Sequence, residues 1–287
     1  MSEDDISFNP AGVGVWQEPS TFEVTAERIA EYAAATNDPI AAHRSGELAP
    51  PAFAIVPVFG AMGSAAFSIA PVDLLPRLLH GEQDFHFHRP IRPGDVLTTR
   101  CKATGYEGKP TGTRGTIQIE CHDRHGQLVN EQYVTFFFRG YDAGPKVGEL
   151  GPEHGFDSSA EATAPVATVV QHVDHDQTYR YGPAAGDPVP IHLDEDFATA
   201  AGLPGIIAHG MCTLAFTSWA AVTELAGGDS RRLRRLAVRF SKPVLPGQDI
   251  ETSFWRTARG GGTTTYAYET AVGPDLVIRD GLATIAD

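Results

Sequence analysis

The chain has 287 residues, of which 42% are hydrophobic, and its formal net charge is −14. This length accommodates two domains with a core each, and the negative charge argues against nucleic acid as the main partner, because phosphate backbones bind basic surfaces. No segment approaches the roughly 18 consecutive apolar residues of a membrane span, and the acidic residues 1–5 do not resemble a signal peptide. Three scattered cysteines favour a reducing compartment, so we expect a cytoplasmic protein.

The first half of the chain contains one candidate helix and several candidate strands. The helix covers residues 57–69 and is broken by Gly60 and Gly63. The strands, rich in β-branched and aromatic residues, cover residues 95–103, 114–123 and 129–139. Residues 142–165 are rich in Gly, Pro, Ser and Ala without an apolar period, which predicts a linker. The N-terminal domain is therefore predicted to span residues 1–141.

The second half repeats this order of elements. An apolar helix begins near Gly210 and stops at Gly227 and Gly228. Four strands follow, at residues 236–240, 249–255, 263–269 and 276–285. One helix packed against a twisted antiparallel sheet is an α+β arrangement, predicted here for each half. The C-terminal domain is predicted to span residues 166–287.

Two repeated motifs indicate that the halves are copies of one domain. Residues 32–43 align with residues 181–192 without a gap, and the alignment pairs a Tyr, an Asp-Pro and a His in each copy. Residues 87–95 align with residues 240–249, each copy carrying Phe-x-x-Pro-x-x-Pro-Gly before an Asp. Because both matches occur in the same order at nearly the same offset, the sequence predicts paired domains. The period is too long for a solenoid repeat.

A carboxylate and an imidazole, Asp187 and His192, lie five residues apart in a loop stiffened by Gly186, Pro188 and Pro190. Side chains on one helix face recur at three or four residues, so the loop itself must orient the two groups. Turn chemistry alone favours Asp, Gly and Pro, which leaves a purely structural turn as the alternative. An acid and a base held together favour proton transfer.

Basic residues are concentrated at residues 231–235, where four arginines favour either a solvated loop or a site for the phosphates of an anionic ligand. We predict that Arg234, Arg235 and Lys242 contact the substrate. No Cys or His cluster has the ligand count of a zinc site, and no cofactor motif is evident, so neither a metal nor a cofactor is expected.

Three motifs in order resemble one family. They are Gly-Asp-x-x-Pro-Ile-His at residues 186–192, Pro-(x)4-His-Gly at residues 204–210, and Phe-x-x-Pro-Val-x-Pro-Gly at residues 240–247. Together they resemble the MaoC-like, (R)-specific enoyl-CoA hydratases, also called hydratase 2, over nearly the whole chain. The resemblance implies a double hot dog, an α+β fold of two tandem antiparallel sheets that each wrap a central helix.

The resemblance also implies a reaction, the reversible hydration of 2-enoyl-CoA to (R)-3-hydroxyacyl-CoA. Asp187 and His192 would be catalytic, dividing the roles of acid and base around one water. The backbone N–H of Gly210, at the positive end of a helix dipole, would contact the thioester carbonyl, and His209 would contact the substrate. The substrate would be a thioester of CoA or of acyl-carrier protein, with CoA present only as part of it, and the enzyme would be a monomer or a homodimer.

One departure from the family pattern and one difference between the two halves leave alternatives open. Val189 stands where the family usually has Asn, which predicts altered water positioning or altered activity. In the N-terminal copy Pro57 aligns with Gly210 and removes an N–H, so that half is predicted to be structural or substrate-accommodating although it keeps Asp38 and His43. The alternative functions are an acyl-CoA thioesterase on the same fold and a non-catalytic acyl-CoA-binding protein.

Overall fold

The computed structural model describes residues 7–155 and 163–287. The predictions for residues 1–5 and for the middle of the linker lie outside these ranges. In chain order the described strands are β1 (Ser20–Glu23), β2 (Leu78–Phe87), β3 (Val96–Lys109), β4 (Gly112–His122), β5 (Leu128–Arg139), β6 (Val147–Gly148), β7 (Ala167–His172), β8 (Leu233–Phe240), β9 (Asp249–Gly260), β10 (Thr263–Val272) and β11 (Asp275–Ala286). The helices are α1 (Ala26–Ala35), α2 (Ala41–Arg44), α3 (Phe59–Ile69), α4 (Gln177–Ala185), α5 (Glu195–Ala200) and α6 (Gly210–Ala226).

One continuous antiparallel sheet runs through both halves, in the order β1-β3-β4-β5-β2-β8-β11-β10-β9-β7, with β6 paired to β3. The sequence predicted two tandem sheets, and β2 and β8 join them edge to edge. Phe87 and Phe240 are equivalent in the internal repeat, and the same spacing makes Asp84 and Ala237 equivalent. These last two residues face each other in the β2–β8 register. An approximate two-fold axis therefore passes between Asp84 and Ala237 and relates the two halves.

Each half of the sheet packs against one central helix, as predicted. Helix α3 lies on β3 and β4, whereas α6 contacts β8, β11 and β7. Helix α6 is buried on most sides and ends at Gly227, whose φ of 65° closes the helix in a left-handed cap. Among the described residues, no helix is both long and apolar enough to cross a membrane. Helix α6 instead carries its N-terminus into the protein interior.

The helix of the N-terminal half starts later than the sequence indicated. Helix α3 begins at Phe59 instead of residue 57, because Pro51–Ile55 form a 3-10 turn and Val58 precedes the first helical residue. The start of α3 differs from the start of α6, which begins directly at Gly210 after His209. The two halves therefore share a fold but not the local backbone at the helix start.

Helices α1 and α4, which precede the two Asp/His loops, pack against each other across the axis. The equivalent residues Tyr32 and Tyr181 are both fully buried, and their ring centroids lie 5.7 Å apart. The indole N–H of Trp219 on α6 donates to the carbonyl oxygen of Thr36 at 3.1 Å. These contacts fix both loops relative to α6 and to one another.

Candidate active site

The backbone of the loop after α4 sets the direction of Asp187. Helix α4 ends in a left-handed cap at Gly186, with a φ of 74°, which glycine adopts without strain. The amide of Asp187 donates to the carbonyl oxygen of Gly182 at 2.9 Å. A side chain on Gly182 would crowd the loop, because its Cβ would lie 3.1 Å from the carbonyl oxygen of Asp187. The loop after Gly186 therefore packs directly against the last turn of α4.

The Asp187 side chain is a buried carboxyl group, 8% exposed. Burial raises its pKa to about 6, and a hydrogen bond from the backbone N–H of Val189 at 3.2 Å partly opposes the shift. The side chain of Val189 is 39% exposed, so this position orients the carboxylate through its amide. The effect of Val189 on water positioning stays a prediction. A carboxyl group with a pKa near 6 exchanges protons close to neutral pH.

His192 lies at the end of a 3-10 turn, Pro190–His192, and is also buried. Its Nδ1 lies 2.9 Å from the carbonyl oxygen of Ile207. A carbonyl oxygen only accepts, so Nδ1 carries the proton and donates it, which leaves Nε2 as an acceptor on the neutral ring. Burial lowers the pKa of His192, although the bond to Ile207 opposes the shift. The ring is therefore a neutral base at pH 7.

His209 packs behind both groups. Its ring stacks on His192 with centroids 3.9 Å apart, and its Nε2 lies 3.3 Å from the backbone oxygen of Asp187, to which it donates. Burial, aided by the neighbouring His192, lowers the pKa of His209 to about 3, so the ring is neutral. These contacts support the positions of acid and base. The predicted contact of His209 with substrate stays a prediction.

The three side chains converge on one point. Asp187, His192 and His209 each have an oxygen or nitrogen within 4.8 Å of the others. Among the described residues no ion pair joins Asp187 directly to His192. A single water molecule, with hydrogen bonds of roughly 2.8 Å, bridges such a gap. The same three groups could ligate a metal ion, and the absence of a metal stays a prediction.

Gly210 provides a backbone N–H group beside this cluster. The carbonyl oxygen of His209 accepts from the amides of Cys212 at 3.0 Å and Thr213 at 3.1 Å, so the amide of Gly210 lies in the first, unpaired turn of α6. The Phe240 ring lies 3.4 Å from the position that a Cβ on Gly210 would take. The helix dipole adds a positive potential at this point.

The equivalent pair in the N-terminal half is closed. His43 Nδ1 lies 2.7 Å from Asp38 Oδ2, and His43 Nε2 lies 3.0 Å from the hydroxyl oxygen of Ser230. Asp38 and His43 are at most 1% exposed. Both ring nitrogens of His43 thus have hydrogen-bond partners, whereas His192 Nε2 has none within the described ranges. Of the two equivalent pairs, only the N-terminal one makes a direct bond between its Asp and its His.

The three cations predicted to contact the substrate lie at the surface, and two of them are paired with carboxylates. Arg235 makes a bidentate ion pair with Asp84, at 3.0 and 2.7 Å, and Lys242 pairs with Asp275. Arg234 is exposed and donates to the backbone oxygen of a neighbouring arginine at 3.0 Å. Sequence analysis missed the two carboxylate partners because they are distant in the chain. The role of all three cations in substrate binding stays a prediction.

Comparisons with known proteins extend across both halves. Residues 157–275 match the MaoC like domain, and residues 11–132 match the FAS1-like dehydratase domain region. The 3-hydroxyacyl-thioester dehydratase Y of Mycobacterium tuberculosis is 30% identical over 273 residues, covering 89% of this chain and 90% of that protein. A probable enoyl-CoA hydratase 2 of Dictyostelium discoideum is 30% identical, covering 72% of this chain and 70% of that protein.

Solved structures share the fold. A MaoC-like dehydratase from Phytophthora capsici superposes with a TM-score of 0.85 over 97% of this chain and 98% of that one, at 23% identity. A Mycobacterium tuberculosis protein described as having a double hotdog fold gives a TM-score of 0.63 over 99% of this chain and 97% of that one, at 15% identity. These likenesses confirm the double hot-dog prediction. With a 30% identical relative matched along most of its length, the chain belongs to the MaoC-like dehydratase family.

Proposed function

We propose that the chain is a hydro-lyase that reversibly hydrates 2-enoyl-CoA to (R)-3-hydroxyacyl-CoA. The observation that carries this proposal is the contrast between the two Asp/His pairs. Asp187 and His192 do not bond to each other and lie at the N-terminus of the buried helix α6. His192 Nε2 is an acceptor without a hydrogen-bond partner among the described residues, and the carboxyl group of Asp187 has a pKa of about 6. Asp38 and His43 make a closed pair. The names of the two relatives at 30% identity, a dehydratase and a hydratase, support the same reaction.

The pair activates one water in this mechanism. Above about pH 6 the Asp187 carboxylate accepts a hydrogen bond, as does His192 Nε2, so a water between them donates one hydrogen to each. A lone pair of that water is then directed at C3 of the enoyl group. The proton removed from the water passes to the acid/base pair, which delivers a proton to C2. Dehydration uses the same steps in reverse.

The amide of Gly210 stabilises the charge that develops during this addition. Attack at C3 moves negative charge onto the thioester oxygen, and a preorganised N–H in a buried site binds that oxygen more strongly in the transition state than in the ground state. Gly210 lies one residue beyond His209, which contacts both Asp187 and His192. The donor and the acid/base pair are therefore supported by one element.

Spectroscopy with a short-chain 2-enoyl-CoA separates the proposal from its alternatives. We expect the absorbance of the conjugated enoyl thioester to disappear without release of free thiol. Release of thiol would indicate a thioesterase, and binding without either change would indicate an acyl-CoA-binding protein. Because no step uses a metal, dialysis against EDTA is expected to leave kcat unchanged, although Asp187, His192 and His209 could ligate one. A rate lost on dialysis and restored by a divalent ion would contradict this mechanism.

Replacing Asp38 tests the structural role of the N-terminal pair. Asp38→Asn weakens the charge-assisted bond to His43, so we expect the free energy of unfolding to fall by about 1–2 kcal/mol. Hydration per folded molecule is expected to stay close to that of the unchanged protein, since His43 is sealed by Ser230. Chemical denaturation and an initial-rate assay on the same sample measure both. Loss of turnover in a fully folded variant would place Asp38 in the reaction.

We also propose a carrier for the substrate, a cellular location and an oligomeric state. A substrate carried on CoA or on acyl-carrier protein would deliver the same enoyl thioester to this site. The three cysteines are free and buried, which is compatible with the predicted cytoplasmic location. The two halves already pair through β2 and β8, which is compatible with a functional monomer, and a homodimer is the other predicted state.

A further inference from the structure

One side chain of the N-terminal half, His80 on β2, lies close to the C-terminal site. Its ring packs edge-on against Phe240 with centroids 5.4 Å apart, and it also contacts Phe136 on β5 at 5.9 Å. Phe240 in turn lies against Gly210, 3.4 Å from the position of an added Cβ. His80 is therefore separated from the proposed oxyanion donor by a single aromatic ring.

The internal repeat gives an independent reason to place His80 in this site. Phe240 and Phe87 are equivalent, and by the same spacing along the strands His80 is equivalent to Leu233. In the N-terminal copy, Phe87 and Leu233 line one small cleft together with Ser230, the residue that seals His43. The closed copy thus has an apolar residue where the open copy has an imidazole. A polar group at this position is present only where the acid/base pair is free.

One ring nitrogen of His80 is unused. Nε2 is buried and has no partner among the described residues. Burial lowers the pKa of His80 to about 4. The ring is therefore neutral at pH 7, and a neutral imidazole has one nitrogen that donates and one that accepts. A buried acceptor without a partner costs stability unless a ligand satisfies it.

The chemistry of the proposed substrate identifies the donor. An enoyl chain and a thioester have no N–H or O–H group. In the proposed mechanism the hydroxyl of the hydrated product comes from the water between Asp187 and His192, so these two groups already bind it. The nearest other donor is the amide N–H of the pantetheine arm, two carbons beyond the thioester sulfur.

We infer that His80 of the N-terminal half accepts a hydrogen bond from the pantetheine amide of a thioester bound at the C-terminal site. This inference rests on the proposed function. His80 would then position the thioester relative to Gly210 and make the reaction selective for thiols that carry an amide at this distance. The N-terminal half would contribute a substrate-contacting residue as well as support.

Matched small thioesters test this inference. The first substrate is the 2-butenoyl thioester of N-acetylcysteamine, which keeps the pantetheine amide; the second is the thioester of 2-acetoxyethanethiol, in which oxygen replaces the N–H. We expect kcat/KM for the amide to exceed that for the ester by about ten-fold in the unchanged protein. In His80→Phe, which keeps a ring against Phe240 and removes the acceptor, the ratio is expected to fall to about one. His88→Phe, at an exposed position just beyond β2, is the control and should keep the ten-fold ratio.

Binding of the saturated butanoyl analogues distinguishes failure of this inference from failure of the proposed function. If the unchanged protein hydrates neither these two thioesters nor 2-butenoyl-CoA, the proposed function is wrong. A ten-fold tighter Kd for the saturated amide, abolished in His80→Phe, would still support the contact. If His80→Phe folds normally and keeps the preference of the unchanged protein in rate or in binding, His80 does not bind the amide. An equal Kd for amide and ester in the unchanged protein would overturn the inference as well.

Discussion

Asp187→Asn is expected to abolish hydration and, at the same time, to make the folded chain more stable. The amide cannot take the proton of the water, and loss of a general acid/base typically costs roughly 10²–10⁴ in rate. Asn keeps an oxygen that can accept from the amide of Val189, which now bonds Asp187 Oδ1 at 3.2 Å. The loop geometry should therefore survive. The expected change is a fall in kcat of at least about 100-fold.

The stabilisation follows from the direction of the pKa shift. Burial raises the pKa of Asp187 from 3.8 to about 6, so the folded state binds this proton more tightly than the unfolded state. The carboxyl group then costs nothing below pH 3.8, and its cost grows as the pH rises through about 6 and remains above it. A shift of this size corresponds to about 3 kcal/mol at pH 7 at most. We expect Asp187→Asn to raise the free energy of unfolding by about 1–3 kcal/mol at pH 7 and to have little effect near pH 4.

Urea denaturation at both pH values measures this difference. Asp196→Asn, which neutralises an exposed carboxylate on α5, is the matched control and should change neither rate nor stability appreciably. A lower free energy of unfolding in Asp187→Asn at pH 7 would show that the carboxylate stabilises the fold, which contradicts the expectation that its burial destabilises the fold. Full activity in that variant would remove Asp187 from the mechanism.

Gly210→Pro and Gly210→Ala separate the effect of losing the backbone N–H from the effect of adding side-chain atoms near Phe240. Proline is favoured at the first position of a helix, and the dihedral angles of His209, −59° and 132°, suit a residue that precedes proline. Gly210→Pro therefore removes one N–H with little expected change in the helix. We expect kcat to fall by about 10²–10³, the usual cost of losing an oxyanion donor.

Gly210→Ala retains the N–H and adds only a Cβ. That atom would lie 3.4 Å from the Phe240 ring, an ordinary van der Waals contact. We expect the Ala variant to lose less than about ten-fold in kcat, so the two variants differ mainly by the amide. Single-turnover rates, with circular dichroism to verify the helix, measure the difference. Equal rates in Pro and Ala variants that both fold would show that this amide does not stabilise the transition state.

Much of the site could be predicted because the internal repeat compares two versions of one loop. Aligning Asp38 and His43 with Asp187 and His192 showed that both copies keep the same Asp/His spacing, and Pro57 opposite Gly210 marked the half in which no donor N–H is expected. The α6 helix was predictable from its continuous apolar character and its glycine stop. Within each copy these signals are local, because the Asp/His loop and the helix that follows it are neighbours in the chain.

Long-range contacts could not be predicted in the same way. Ser230, which seals the N-terminal pair, is 187 residues from His43, and Asp84, which engages Arg235, is 151 residues from it. No periodicity in the chain encodes these partners. The contact between His80 and Phe240 could not be predicted either, because only the pairing of β2 with β8 brings these two residues together.

The joining of the two sheets was missed for a related reason. Hydrophobic alternation predicts which face of a strand is buried, but not which edge pairs with which. Strand β2 was not recognised as a strand, because polar side chains that include Asp84 interrupt its apolar positions. In the structure Asp84 is satisfied by Arg235 of the neighbouring strand β8. The polar residue is thus part of the junction between the halves.

Side-by-side hydration rates of Asp38→Asn and Asp187→Asn test the central claim, that the C-terminal copy of a duplicated Asp/His pair performs the chemistry. Both substitutions replace one carboxylate by its amide at equivalent places in the fold. The measurement is the initial rate at which the enoyl absorbance of a 2-enoyl-CoA disappears, per folded molecule. We predict a rate near that of the unchanged protein for Asp38→Asn and a loss of at least about 100-fold for Asp187→Asn. Equal rates in the two variants, or the larger loss in Asp38→Asn, would contradict the assignment.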